Sequence, residues 1–331
     1  MPKVTVAMPV FNDAKYLKSA IASILAQSFQ DFELLVIDDG STDESPAILD
    51  SYTDKRMKVI RLPQNKGRPY ARNIALDNAT GEYLAWMDGD DISHPQRLEK
   101  QVAFLDAHSQ VDICGCALQR FHEQKGILRY PRTPEQIRAE IIWDSMIPNP
   151  VACMRLERVR KAHMRYDEEL LRAEDYGFWI DALLGARLQA INMPDVLYQW
   201  RYFHRPANVM YHALAARHVL KYLDLPHDPH HATVHTVFSC TSYEGLEPSI
   251  DAYEVINWIN EVYHAVLRSN LVTIQPFLAR THIKVEKYLA WQPLSKSLLQ
   301  YYHSSPLGKT HSSSRLCTMV ALRKLRKKIY H

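Results

Sequence analysis

Short apolar runs alternate with segments of helical period through the first 120 or so residues. Val4–Phe11 is a β-rich run. Asp13–Gln27 follows, with Tyr16, Leu17, Ala20, Ile21, Ile24 and Leu25 at helical spacing. Asp13 stands where an N-cap is expected. The same alternation predicts strands at Phe32–Ile37, Met57–Leu62, Leu84–Met87 and Val111–Leu118, and helices at Ser45–Tyr52, Arg68–Ala79 and Pro95–His108. Pro95 suits the first turn of its helix, where an N–H has no partner to lose. Alternation at this spacing implies right-handed crossovers and an α/β fold with an open, mostly parallel sheet flanked by helices.

The pattern turns irregular near Thr133. Ile147-Pro148-Asn149-Pro150 reads as a loop, Arg172–Trp179 leads into an apolar helix through Leu184, and Asp195–Arg201 reads as a strand. Beyond Pro206 the period is helical over Tyr211–Leu223, Asp251–Leu267 and Thr273–Tyr288, with a Pro/His-rich linker at 226–235. Two domains are therefore expected: an α/β domain over 1–205 and a mainly helical extension over 206–331.

Ligands of open parallel sheets bind outside the carboxyl ends of the strands. Phe11 and Asn12 follow the first strand there, Asp38 and Asp39 the second, and Asn65-Lys66-Gly67-Arg68 the third. The fourth ends at Met87, where the apolar run from Tyr83 stops at Asp88-Gly89-Asp90-Asp91. Three bunched carboxylates repel one another unless something positive sits between them. A hard divalent cation, Mg²⁺ or Mn²⁺, answers that need and takes phosphate oxygens as further ligands. A plain acidic turn is the other reading of the same residues. The chain has no Gly-x-Gly-x-x-Gly or Walker loop, which disfavours a dinucleotide enzyme or a P-loop kinase.

Composition narrows the classes further. With 331 residues and 47% apolar content the chain can bury a full core, and a formal charge of +3 gives no reason to expect nucleic acid as partner. The five cysteines lack a metal-ligand pattern; Cys114 and Cys116 read as small buried hydrophobes in a reducing compartment. His227, His230, His231 and His235 match no closed zinc spacing and read as a solvated linker. Met-Pro-Lys-Val-Thr-Val enters a strand without a signal-peptide layout, and no apolar run reaches the roughly 18–20 residues of a membrane span. A cytoplasmic location is the expectation.

Five stretches, in order, resemble the family 2 glycosyltransferases of the GT-A fold. They are Met8-Pro9-Val10-Phe11-Asn12; Val36 to Asp43; Asn65-Lys66-Gly67 with Ala71-Arg72-Asn73; Thr80 to Leu84 running into Asp88-Gly89-Asp90-Asp91; and Ala173-Glu174-Asp175-Tyr176 with Trp179. The resemblance covers about residues 1–205. It implies transfer of a sugar from a nucleotide sugar, a UDP-sugar by family frequency, to a glycan or lipid-linked acceptor with inversion. It places Val10 and Phe11 by the base, with Pro9 and Asn12 also in the nucleotide-sugar site, and gives Asp39 a hydrogen bond from a base ring nitrogen. Asn65, Lys66, Gly67, Arg68 and Arg72 would lie near the nucleotide. Asp90, with Asp88 and Asp91, would hold Mn²⁺ or Mg²⁺ or the ribose, with Gly89 between them. Asp175 corresponds to the general base, beside Glu174, and Arg201 and His204 resemble a position that reaches donor phosphate. Acceptors of the capsule or lipopolysaccharide type are expected.

Two rival readings stay open. A nucleotidyltransferase also uses an aspartate cluster at a sheet edge, but normally carries a glycine-rich basic loop where this chain has Pro9 to Asn12. A non-catalytic nucleotide-sugar-binding subunit would keep the same pocket. Asp43 reads as a helix cap. At 315–331, Leu316, Met319, Val320, Leu322, Leu325 and Ile329 alternate with five cations between 323 and 328. Such a stretch can lie on an anionic inner-membrane face.

Overall fold

Every residue of the strand Phe32–Asp38 is buried, its apolar stretch Leu34–Ile37 covered on both faces of the sheet and Glu33 and Asp38 buried with it. A computed structural model describes residues 1–204, 209–239, 250–292, 296–312 and 316. In it this strand, β2, lies between β1 (Val4–Val10) and β3 (Met57–Arg61), and β4 (Tyr83–Trp86) pairs with the far side of β1. All three pairings are parallel, and the strands are joined through α1 (Ala14–Leu25), α2 (Ser45–Asp50) and α3 (Arg68–Asn78). Parallel strands deliver all four carboxyl ends to one edge, where the candidate residues cluster. Leu17, Ala20, Ile21 and Ile24 of α1 pack into one core with Val4, Val6, Leu34 and Val36. Each fully buried Val, Leu or Ile among these contributes roughly 1.5–3 kcal/mol.

Beyond β4 the sheet is mixed. β8 (Cys153–Arg155) runs antiparallel between β4 and β6 (Ile113–His122). β9 (Ala190–Tyr202) lies parallel to β6, β5 (Ile92–Ser93) runs antiparallel to β9, and β7 (Gly126–Leu128) forms a hairpin with β6. The expected parallel order thus describes the first half of the sheet, and antiparallel insertions complete the second. β5 and β8 are too short for a periodic signal. Helices α4 (Arg97–Ala107), α5 (Pro134–Glu140), α6 (Leu156–Lys161) and α7 (Glu174–Ile180) complete this part of the chain, and α7 widens into a π turn over Asp181–Gly185. Cys114, Cys116 and Cys153 are buried free thiols.

Asp13 precedes α1 but does not cap it. Its carboxylate turns back to accept from the Phe11 amide at 3.3 Å. The free Ala14 amide at the start of α1 donates instead to Asp43 at 3.0 Å, and the second Asp43 oxygen accepts from the Ser45 amide of α2. One carboxylate therefore serves two helix starts.

The chain divides into two compact units, one of residues 1–137 and 145–205, the other of 138–144 and 206–331. The second contains α8 (Val209–Tyr222), α9 (Pro229–Ser239), α10 (Ala252–Ser269), α11 (Ile274–Trp291) and α12 (Lys296–Ser304). The stretch expected as a linker at 226–235 is a correction: most of it belongs to α9, and His235 is core. Its ring stacks on Trp143 at 4.9 Å, donates from Nε2 to the Ile142 carbonyl, and accepts from Trp258 Nε1 at Nδ1. Both nitrogens are satisfied only by the neutral ring, and burial pushes its pKa down to about 4. The basic stretch 315–331 lies outside the described residues, Leu316 excepted. No helix among the described residues is long and apolar enough to cross a membrane.

Candidate active site

The loops after β1, β2 and β3 are tied together by side chains acting on backbone. Asp39 is buried, and its two oxygens accept from the Lys66 amide at 2.8 Å and the Gly67 amide at 2.9 Å. Burial raises its pKa, and these two amides oppose the rise. Asp38 accepts from the Ser41 amide. Asn12, at φ +56°, accepts from the Thr42 amide at 2.8 Å, and its own amide donates to Ser41 Oγ. Gly40 sits at φ +71°, and a Cβ there would stand 2.5 Å from the Gln64 carbonyl carbon. Only glycine permits this approach of the second loop to the third.

The acidic turn is held from β9. The antiparallel pairing of β5 sets Ile92 opposite Gln199 and Ser93 opposite Tyr198, so Tyr198 and Arg201 lie against the turn. The Tyr198 hydroxyl accepts from the Asp88 amide at 3.2 Å. The Arg201 amide donates to Asp91 at 2.6 Å, and its Nε donates to the Asp90 carbonyl at 2.7 Å. Its guanidinium sits over the rings of Tyr16 and Phe121, 3.9 and 4.6 Å from their centres. Asp91 is wholly buried and shapes the turn. Asp88 and Asp90 are part-exposed.

Charge accumulates here. Burial, with Asp88 alongside, pushes Asp90 up to about 6. Burial and the Asp90 charge push Asp13 up to about 7, and a Cβ on Gly89 would stand 2.7 Å from an Asp13 oxygen. Asp13 therefore joins the cluster: its place just after β1 suggests a helix cap, but its carboxylate lies against the acidic turn instead. Among the described residues no three His, Cys, Asp or Glu side chains are arranged to hold a metal ion. A Mg²⁺-like ion bound by one or two carboxylates plus substrate phosphates does not need three. Asp88 and Asp90, hard oxygen donors whose charges oppose each other, fit such an ion; Asp91 is wholly buried, with Oδ1 on the Arg201 amide and Oδ2 without a hydrogen-bond partner.

The other half of the site is the start of α7. Ala173 takes a left-handed turn at φ +60° that sets Glu174 and Asp175 at the helix start. Glu174 is buried and accepts from Arg72 at 2.7 Å. Arg72 also lies 3.6 Å from Asp88 and stands over the rings of Tyr166 and Trp86. Asp175 is part-buried; desolvation and the Glu174 charge raise its pKa, against the pull of Arg72. Arg68, half exposed, faces Glu174 at 3.5 Å.

The remaining candidates scatter. Phe11, Asn65 and Lys66 are exposed at this edge, whereas Val10 is buried in β1 beside the part-buried Pro9. His204 is exposed, and its amide donates to Glu123.

Residues 5–163 match the glycosyl transferase family 2 model. A putative teichuronic acid biosynthesis glycosyltransferase of Bacillus subtilis, TuaG, is 40% identical over 60% of this chain and 79% of its own length. The chain spans about half the length of other curated relatives that it matches, 50% in one case and 64% in another. The fold is similar to that of S. aureus TarS bound to UDP-GlcNAc, at a TM-score of 0.62 and 21% identity over 98% of this chain and 92% of that one. It is also similar to that of the mannosyltransferase PcManGT of Pyrobaculum calidifontis with GDP-Man and Mn²⁺, at a TM-score of 0.52 and 19% identity over 99% and 88%.

Proposed function

The chain belongs to glycosyl transferase family 2, and we propose that it moves one sugar from a nucleotide sugar to an acceptor hydroxyl with inversion at the anomeric carbon. One observation carries this reading. Arg72 is shared between Glu174, beside Asp175, and Asp88 of the acidic turn. A carboxylate for an acceptor proton and a pair of carboxylates for a diphosphate anchor thus meet at one buried cation.

The division of labour follows from the residues. Asp39 holds the loop at Lys66 and Gly67 in place beside the nucleotide. Lys66 and Arg68 supply positive charge at the diphosphate. Asp88 and Asp90 would hold the divalent ion, which when bound withdraws charge from the leaving diphosphate. A hydroxyl has a pKa far above 7, so a carboxylate has to take its proton as attack proceeds. Asp175 is assigned that role. Its raised pKa makes it a better proton acceptor than an ordinary aspartate, and Arg72 keeps enough positive charge nearby for it to ionise. Glu174, buried on Arg72, positions the pair.

A UDP-sugar donor is supported by TarS, whose structure holds UDP-GlcNAc, and a manganese requirement by PcManGT, whose structure holds Mn²⁺. A surface polysaccharide or lipid-linked glycan as acceptor is supported by the teichuronic acid assignment of TuaG. A panel of nucleotide sugars in a thermal-shift assay, with and without Mn²⁺, tests donor and metal together. Asp175→Asn should then lose transfer while keeping nucleotide binding; a variant that still transfers removes Asp175 as the base. Peripheral attachment through the basic stretch at 315–331 is proposed from its sequence alone. Deleting it should abolish salt-sensitive flotation with anionic liposomes, and unchanged flotation rejects the attachment.

A further inference from the structure

One guanidinium lies behind the acidic turn, wholly out of water, with only neutral partners. Arg97 opens α4 and is 0% exposed. Its Nε donates to Gln101 Oε1 at 3.0 Å, one terminal nitrogen donates to the Trp86 carbonyl at 2.8 Å, and the other faces Met87 Sδ at 4.0 Å. Gln101 passes the network on to the carbonyls of Val151 and Cys114. Isolated buried ions are costly unless an opposite charge answers them. Tyr198 links Arg97 to the backbone of the acidic turn. Arg97 stands 5.1 Å from the centre of that ring, and the Tyr198 hydroxyl accepts from the Asp88 amide at 3.2 Å.

We propose that Arg97 and Tyr198 are positioning residues for the acidic turn. Arg97 supplies a fixed buried charge that offsets the carboxylates, and Tyr198 sets the turn so that Asp91 faces inward while Asp88 and Asp90 face the ligand. The inference rests on the reading of that turn as a metal–diphosphate anchor. Arg97 touches Trp86 and Met87, the two residues leading into Asp88, so it acts on the turn and not on the donor. Groups that orient the ligands of a metal typically change its affinity 10–100-fold, roughly, when removed.

Calorimetric titration of UDP into the full chain, with Mn²⁺ or with EDTA, separates the two levels. The unaltered protein should bind UDP more tightly with Mn²⁺; equal binding in both buffers overturns the metal reading and this inference with it. Given that difference, Arg97→Met should weaken Mn²⁺-dependent binding about tenfold and leave metal-free binding close to that of the parent. Tyr198→Phe keeps the ring and removes only the hydroxyl, so it should move the same way without endangering the fold. Arg97→Lys should recover part of the loss by restoring the charge. General loosening of the protein would weaken both kinds of binding alike. Equal losses with and without Mn²⁺, or unchanged Mn²⁺ dependence in Tyr198→Phe, overturn the assignment.

Discussion

Arg72 donates to Glu174 across 2.7 Å, and both side chains are almost wholly withdrawn from water. The pair joins α3 to the start of α7 over 102 residues of sequence. Removing one partner of such a pair strands a buried charge, at a cost of roughly 3–5 kcal/mol; replacing both by apolar groups is often near neutral. Arg72→Met should therefore lower unfolding free energy in urea by about 3 kcal/mol, and adding Glu174→Met should recover most of it. Additive losses in the double variant would show that the two side chains act separately.

The pH dependence of transfer follows from Asp175. Burial and the neighbouring Glu174 charge raise its pKa above the ordinary aspartate value. A base works only when deprotonated, so the acidic limb of kcat/KM should lie above about pH 4. Glu174→Gln removes the like charge and leaves Arg72 to act on Asp175, so both effects move the limb to lower pH. A pH–rate profile checks this, and a limb that stays put counts against Asp175 as the titrating group.

Gly40 offers a test of the nucleotide loops. Alanine there is strained by φ +71° and runs into the Gln64 backbone at 2.5 Å. Strain of this kind costs about 1–3 kcal/mol, and the displaced loop loses the Asp39 clamp on Lys66 and Gly67. Gly40→Ala should lower the thermal midpoint and weaken UDP binding. A less stable variant with unaltered UDP affinity would remove this loop from the nucleotide site.

Far from that edge, Glu33 gives a stability signature in acid. It accepts from Thr5 Oγ1, from the Thr80 amide and hydroxyl, and from Lys58. Burial pushes its pKa up, but these bonds outweigh burial and hold it at about 2. The folded pKa is below the unfolded one, so the stabilisation is complete above about pH 4.5 and is lost as the pH falls to about 2. Lys58 is more than half exposed, and screening trims its share. Glu33→Gln should thus cost about 2 kcal/mol at pH 7, and the gap should close in urea titrations near pH 2. A gap independent of pH would mean that packing, not ionisation, is responsible.

The nucleotide half of the site was largely legible in the linear chain. β1 to β4 and α1 to α3 run close to where period and turn residues put them, whereas α4 begins at Arg97, so Pro95, expected in its first turn, lies ahead of it. Parallel order then forces Asn12, Asp39, the 65–68 loop and Asp88 to one edge. The His-rich stretch was not legible: His235 is polar by type, yet Ile142 and Trp258 satisfy both its nitrogens inside a core. Asp13 stands where a cap is expected, but the Ala14 amide is taken by Asp43 from another loop, a partner that local sequence does not show.

By itself, then, the sequence determined the alternation of elements, the family and the edge at which its carboxylates gather. Local periodicity and topology suffice for those. Only the tertiary structure decided what each charge does there. Arg72 reaches Glu174, Arg97 stands behind Trp86, and Arg201 takes the Asp90 carbonyl, across separations of 102, 11 and 111 residues. Partner choice among like residues depends on which one the fold brings within hydrogen-bonding distance and out of water. Neither distance nor burial is a property of a residue's place in the chain.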